Sequence, residues 1–270
     1  MLGKLMKYEL KAMGRKLLPL YGAVLVLSLI AGVPFNAEGK HSFKATVLLF
    51  LLLAVVMVMT VVLVIQRFSR NLLGREGYLV LTLPVSSASH ILNKVFSAVI
   101  WMALSAAVAF FAMFLLMALT PMHGTLFDGW GFLTGSFYAG GVPVTGDIVG
   151  LTAEVVIMIL LAFAVFALMI YASISIGHQA DSHQGLLSVV AFVVICMIEN
   201  GINSLLRVSV PSSLVLGSSS IEIDGAMMNQ QQMLHAIEKG MGIGILFLAV
   251  WCVIFYFITW YLLDCRLNLE

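Results

Sequence analysis

Residues 45–66 read ATVLLFLLLAVVMVMTVVLVIQ, and no Asp, Glu, Lys or Arg interrupts them. A helix needs about 20 apolar residues to cross the hydrocarbon core of a bilayer, so this stretch is long enough to span a membrane. Strands of a β-barrel would be about half as long and would alternate in polarity. The stretch therefore predicts a transmembrane α-helix.

The composition of the whole chain agrees with a membrane location. Apolar residues make up 61% of the 270 residues and charged residues only 10%, whereas a soluble domain carries about 25% charged residues. So little charge cannot cover a water-facing surface, so the surface must face lipid. The net charge of +1 gives no basic field for nucleic acid, which is excluded as a partner.

The remaining apolar runs extend the prediction to six spans. These lie at residues 17–35, 45–66, 92–120, 152–177, 185–206 and 240–263. The fifth run is broken by Glu199 and Asn200 and is the weakest of the six. We expect an all-α, polytopic membrane protein that forms a single transmembrane domain over residues 1–270.

Residues 1–16, the predicted interfacial helix, carry two stripes at helical spacing that extend to Leu17. A basic stripe contains Lys4, Lys7, Lys11 and Arg15, and an apolar stripe on the opposite side contains Leu2, Met6, Leu10, Met13 and Leu17. This pattern is typical of an amphipathic helix in the headgroup plane with its basic face toward anionic lipid. Ordinary positive charge flanking the first span is the alternative.

The Lys and Arg residues between the spans predict the orientation. The side that holds both termini has ten of them: Lys4, Lys7, Lys11, Arg15, Lys16, Arg67, Arg70, Arg75, Lys94 and Arg266. The other side has four: Lys40, Lys44, Arg207 and Lys239. We therefore expect both termini in the cytoplasm of a cell whose cytoplasmic membrane holds the chain.

The segment 67–94 between the second and third spans has the most distinctive sequence. Gly74 and Gly77 bracket a turn around Arg75 and Glu76. Pro84 breaks any helix before it, and a serine after it, Ser86 or Ser87, can cap the helix that follows. The segment is either a short projection that binds another protein or a solvated connector.

The run Gly74-x-Glu76-Gly77-Tyr78-Leu79-x-x-Thr82-Leu83-Pro84-Val85-Ser86 resembles the cytoplasmic loop of ABC-type exporter permeases of the type-2 superfamily. The close relatives are found in Gram-positive, Clostridium-like bacteria. The opening Lys7-Tyr8-Glu9-Leu10-Lys11, the segment Leu18-Pro19-Leu20-Tyr21 and the order of six spans are also similar. The resemblance covers nearly the whole chain, and the loop is its most specific part.

The resemblance implies a permease subunit that pairs with a second permease subunit, identical or homologous, and with two cytosolic ATPase subunits. It implies that the loop contacts the ATPase through the residues that match the family pattern: Gly74, Glu76, Gly77, Tyr78, Leu83, Pro84 and Ser86. Arg75 lies inside the same stretch, and the resemblance assigns it no role. The second loop, 178–184, departs from the pattern, because His178, Asp181 and His183 stand where basic residues are expected. A second strong ATPase contact is therefore in doubt.

The chain itself has no ATP-binding motif. A Walker A loop needs Gly-x-x-x-x-Gly-Lys-Ser/Thr to surround phosphates with backbone amides, and no such string occurs. We expect no enzymatic activity and no cofactor in this chain, with ATP and magnesium bound by the partner ATPase.

Two further groups of polar residues are candidate sites. Glu199, Asn200 and Asn203 lie in the fifth span, where a carboxylate is costly; they either line a path between subunits or make ordinary helix–helix hydrogen bonds. His178, Asp181 and His183 do not have zinc-ligand spacing, and we expect no metal.

Other function classes fit the sequence less well. An intramembrane metalloprotease needs a His-Glu-x-x-His cluster, which is absent. An ion-coupled secondary transporter usually carries several charged residues at the bilayer midplane, and Glu199 is the one candidate. A secondary transporter and a non-transporting membrane scaffold stay open as alternatives.

Overall fold

The computed structural model describes residues 2–32, 43–69, 87–119, 145–179, 183–209 and 230–265. Over these residues the chain forms six helices: α1 Leu2–Gly32, α2 Phe43–Phe68, α3 Ser87–Leu119, α4 Thr145–Gly177, α5 Gln184–Ser209 and α6 Gln230–Cys265. No strand occurs within the described ranges.

Each of the six helices is long and apolar enough to cross a membrane. The all-α, six-span prediction is therefore confirmed, including the fifth span, which is helical through Glu199 and Asn200. A helix is the natural choice in lipid because all its backbone hydrogen bonds are made within the segment, where no water is available to replace them.

Two helices are longer than the spans predicted for them. α1 runs without a break from Leu2 through Pro19 to Gly32, so the amphipathic segment and the first span form one element. α6 begins at Gln230, well before the predicted start of the sixth span at residue 240. A helix can continue across the membrane surface because its own hydrogen bonds are satisfied on both sides of it.

The helices cluster into two compact units, of which the first comprises Met1–Arg67 and Leu92–Gly146. Its core is lined by one face of α1. The buried positions of that face recur every three or four residues, as expected for one side of a helix: Glu9, Met13, Leu17, Tyr21, Val24, Ser28 and Ala31. α1 is therefore packed along its length, from its polar end to its apolar end.

The second unit comprises Phe68–Ile91 and Asp147–Glu270. Its core is the C-terminal half of α4, where every residue of the range 167–175 is buried. The ring of Tyr171 stacks on Phe68 with the centroids 4.1 Å apart. The hydroxyls of Ser173 and Ser175 donate to carbonyls of their own helix, so these buried polar groups need no other partner.

The turn between α4 and α5 brings their backbones close together. A Cβ placed on Gly177 would lie 2.6 Å from the backbone nitrogen of Ser188, so only glycine fits there. His183 adopts a φ of 57° just before α5 begins. Beyond this turn, Phe166 and Phe192 meet edge to face at 6.5 Å.

Helices α5 and α6 are much more exposed than α4. In the span Gln184–Ser204 no residue is buried at all, and in the span Lys239–Leu263 few are. The buried side of α6 consists of Trp251, Phe255, Thr259 and Leu263. The side of α5 that holds Phe192 is partly covered by α4, and the rest of its circumference is open to lipid or to another protein.

Candidate functional site

The structure describes the two flanks of the predicted coupling loop. Its candidate residues Gly74, Arg75, Glu76, Gly77, Tyr78, Leu83, Pro84 and Ser86 lie outside the described residues. On the N-terminal side α2 ends at Phe68, and on the C-terminal side α3 begins at Ser87. The start of α3 agrees with a helix beginning after Pro84.

Within the first unit, a cluster of charged and amide side chains joins both flanks to α1. The ammonium of Lys94 donates to Oε1 of Glu9. The amide Nδ2 of Asn93 donates to Oε2 of the same carboxylate at 3.3 Å, and Nη1 of Arg67 lies 3.7 Å from Oε1. We call these four residues, Glu9, Arg67, Asn93 and Lys94, the ionic cluster.

The ionic cluster is buried except at one side. Glu9 and Lys94 are each 7% exposed, Asn93 is 2% exposed, and the side chain of Arg67 is 25% exposed. Breaking a buried pair by removing one partner costs about 3–5 kcal/mol, because the other charge is left buried without compensation. Arg67 is the peripheral member, since it reaches the carboxylate from the solvent-accessible side.

Farther along the same three helices, hydroxyl groups form a second polar contact. The hydroxyl of Thr60 donates to the carbonyl of Val56 at 2.8 Å. Since a hydroxyl has one hydrogen, Thr60 must accept from Ser105 at 2.8 Å, and Ser105 must accept from Tyr21 at 2.6 Å. We call this chain from Tyr21 through Ser105 to Thr60 the hydroxyl relay.

The ionic cluster and the hydroxyl relay hold α1, α2 and α3 together at two levels. Glu9 and Tyr21 are twelve residues apart on α1, which corresponds to about 18 Å along the axis. Between the two levels, Gly14 lies against the ring of Trp101, where an added Cβ would be 3.1 Å from the ring. Trp101 and Tyr21 are also neighbours, with centroids 6.3 Å apart.

The predicted basic face of α1 is open to its surroundings. Lys7, Lys11 and Arg15 are exposed, and the side chain of Lys4 lies outside the described ones. Met13 and Leu17, from the opposite stripe, are buried, so this part of the stripe packs on protein and not on lipid. Contact of the basic face with lipid headgroups stays a prediction.

The predicted polar site of the fifth span lies on the exposed helix α5. Asn200 is exposed and its amide donates to the carbonyl of Cys196 at 2.8 Å. Glu199 and Asn203 are partly exposed. They lie seven and eleven residues after Phe192, so all three share one side of the helix.

The turn between α4 and α5 holds the other predicted polar group. Burial lowers the pKa of His178 below its ordinary value, because an apolar environment disfavours the charged ring. Asp181 lies outside the described residues. Within the described part of the chain, no three His, Cys, Asp or Glu side chains lie close enough to hold a metal ion.

Sequence reasoning missed the ionic cluster, although a signal was present. Glu9 stands four residues before Met13 and eight before Leu17, so it belongs to the apolar stripe of α1 and not to the basic one. An acidic residue on an apolar stripe indicates a buried partner. Lys94 contributed to the orientation count alone, since nothing in the local sequence marks it as buried.

Comparison with known proteins gives no independent identification. No protein-family model matches the chain, and the searches of curated proteins and of solved structures also returned no match. What the structure shows is the fold class, an all-α protein whose described residues form six helices that can span a membrane.

Proposed function

We propose that this chain is the transmembrane permease subunit of an ATP-driven ABC exporter. In this proposal it pairs with a second permease subunit and with two cytosolic ATPase subunits, which bind the ATP and magnesium. The resemblance of residues 74–86 to the cytoplasmic loop of such exporters supports the ATPase contact. The lack of a Walker A string agrees with the proposal that another chain hydrolyses the ATP.

The observation that carries the proposal is the exposure of α5. Polar and ionisable residues within spans almost always face protein or a water-filled cavity, since lipid cannot satisfy them. Yet no residue of the span Gln184–Ser204 is buried, and this span carries Glu199, Asn200 and Asn203. Phe166 of α4 contacts the side of α5 that holds Glu199 and Asn203, and Asn200 is exposed. A second permease subunit on this helix would complete the cover of the first two and would cover Asn200, and the two subunits would enclose a path between them.

The mechanism that follows is mechanical. Closure of the ATPase pair pushes on the loop 67–94, and the helices that flank the loop move with it. The seam between the two permease subunits then opens alternately to either side of the membrane. The excess of Lys and Arg on the side of the termini supports a cytoplasmic location for both termini and for the loop, in a bacterial cytoplasmic membrane.

The test of the ATPase contact uses the full chain, tagged and purified in mild detergent from its own host. We expect magnesium-dependent ATP hydrolysis in the preparation, and we expect Glu76→Ala and Tyr78→Ala to reduce it at least about tenfold, the loss typical for an anchor residue at an interface. Asn71→Ala is the matched control, because Asn71 lies in the same loop but outside the motif.

The outcomes separate the proposed function from its rivals. A wild-type preparation that hydrolyses no ATP would contradict the proposal and favour a secondary transporter or a scaffold. Hydrolysis that survives in Glu76→Ala and Tyr78→Ala would instead place the ATPase contact outside this loop.

The second permease subunit is tested by cross-linking in a chain without native cysteines. Met197 on α5 is 70% exposed and Phe110 on α3 is 76% exposed, so the two side chains are equally open in the single chain. If α5 meets an identical subunit, an added thiol oxidant converts the Met197→Cys chain into a disulfide-linked dimer in membranes and leaves the Phe110→Cys chain monomeric. Equal cross-linking at both positions would contradict a defined contact at α5.

A further inference from the structure

The ionic cluster joins α1 to the two described helices that flank the loop 70–86. Arg67 is the next-to-last residue of α2, and Lys94 lies in the second turn of α3. Residues 70–86 therefore fall between the two cations along the chain. One carboxylate, that of Glu9 on α1, contacts both of them.

The charges of the cluster restrict how α1, α2 and α3 can move relative to one another near these residues. Two cations, Lys94 and Arg67, face one anion, Glu9, so the carboxylate separates two like charges. Moving α3 away from α1 exposes a buried carboxylate, and removing the carboxylate leaves the cations facing each other, which is unfavourable. The arrangement therefore favours one position of the flanks over others.

Stability alone does not require this cluster. Apolar residues of the same volume often stabilise a protein as well as a buried ion pair does. α1 and α3 already meet through other contacts, such as the sulfur of Met13 with the hydroxyl of Ser97 at 3.7 Å and the ring of Trp101 against Gly14. What an ion pair adds to such packing is a preference for one geometry.

We infer that Glu9 is a positioning residue, which fixes the flanks of the loop 70–86 by binding Lys94 and Arg67 at the same time. The inference rests on the proposed function, in which the ATPase pushes on the loop. Flanks that are fixed to α1 would transmit this movement to α1. Lys94 is the principal partner, because it is buried with Glu9, and Arg67 is the secondary one.

The test measures the distance between α1 and the C-terminal flank of the loop. Spin labels are attached at Tyr8→Cys and Leu92→Cys, which replace exposed side chains, in a full chain whose native cysteines are replaced by Ser. The pair distance is measured in lipid nanodiscs. We expect one narrow distribution of label distances for this parent chain. In Glu9→Gln we expect the share of label pairs outside that distribution to rise about tenfold, in line with typical coupling between linked elements.

Three controls separate positioning from a general loss of stability. Leu17→Ala destabilises the same face of α1 without touching the cluster, so its distribution stays narrow. Glu199→Gln neutralises the partly exposed carboxylate of α5 and also leaves the distance distribution narrow. Lys94→Arg keeps the charge and preserves the parent distribution, whereas Lys94→Gln broadens it and Arg67→Gln has a smaller effect.

Narrow distributions in both Glu9→Gln and Lys94→Gln would overturn the inference, as would equal broadening in Leu17→Ala. If Glu9→Gln does not fold, the comparison of Lys94→Gln with Lys94→Arg decides by the same measurement. The label distances need no ATPase, so they judge the role of Glu9 even where the test of the proposed function fails.

Discussion

Helices α1 and α5 both span the membrane in this fold, but their surroundings are opposite. α1 is the less apolar of the two spans and yet is buried along one whole face, whereas no residue of the α5 span is buried. Each carries a carboxylate. That of Glu9 has Lys94 and Asn93 bound to it, and that of Glu199 is partly exposed.

The comparison shows that the hydropathy of a helix indicates how well it suits lipid, but not how closely it packs against other helices. Lipid tails are as apolar as leucine, so no hydrophobic force drives helices together inside a bilayer. Close packing and polar contacts decide instead. α1 has both, in Gly14 against Trp101 and in the ionic cluster, and α5 has such contacts at its beginning, where Ser188 meets Gly177.

The largest difference between the two helices is expected for their carboxylates. Glu9→Ala removes the carboxylate that binds the buried ammonium of Lys94 and should reduce the free energy of unfolding by about 3–5 kcal/mol. Glu199→Ala removes a partly exposed group and should change it by no more than about 0.5 kcal/mol. Equilibrium unfolding in mixed micelles measures both changes in the free energy of unfolding. Equal losses in the two variants would contradict the difference between α1 and α5.

Apolar side chains should show the same contrast. Leu17 is fully buried on α1 and Leu186 is 66% exposed on α5. Leu17→Ala leaves a cavity and should lower the free energy of unfolding by about 3 kcal/mol, while Leu186→Ala should stay within about 0.5 kcal/mol. A large loss in Leu186→Ala, measured on the single chain, would mean that α5 is covered by its own polypeptide.

Within the second unit, Gly177 of α4 and Gly201 of α5 differ in the space available for an added Cβ. A Cβ on Gly177 would collide with the backbone of Ser188, whereas nothing lies within 4 Å of a Cβ on Gly201 of α5. Gly177→Ala should therefore lower the free energy of unfolding by about 2 kcal/mol, as overpacking does. Gly201→Ala is the matched control and should be neutral or slightly stabilising, since alanine favours helix. A neutral Gly177→Ala would contradict the close approach at this turn.

The smallest expected effect is a pH dependence at the turn that leads into α5. Because burial lowers the pKa of His178, the folded chain binds fewer protons there than the unfolded chain does. Stability is then fully present above the ordinary histidine pKa of about 6.5 and is lost as the pH falls below it. Thermal unfolding between pH 7.5 and pH 5.5 should show this loss in the parent chain and less of it in His178→Asn. An identical dependence in both chains would contradict the assignment to His178.

The fold was largely predictable, and the candidate site was not. Each of the six spans was predicted from its own apolar run, such as residues 45–66, because a membrane helix must present about 20 apolar residues whatever surrounds it. The ends of the elements were less predictable, since nothing in the sequence around residues 16 and 17 marks that one helix continues beyond the lipid. The polar residues before residue 240 predict a short helix over 227–239, but not that it is continuous with the sixth span. The residues of the loop motif stay predictions, because residues 70–86 lie outside the described ones.

The sequence by itself determined that this chain is helical, that it spans a membrane six times and that α1 carries a basic stripe, because each of these properties depends on neighbours within a few turns. Only the tertiary structure decided that Glu9 meets Lys94, 85 residues away, and that the α5 span has no buried residue. The physical reason is that an ion pair and a packed face depend on distances between helices. The spacing of Glu9, Met13 and Leu17 indicates that Glu9 is buried, but nothing in either segment indicates which residue it meets.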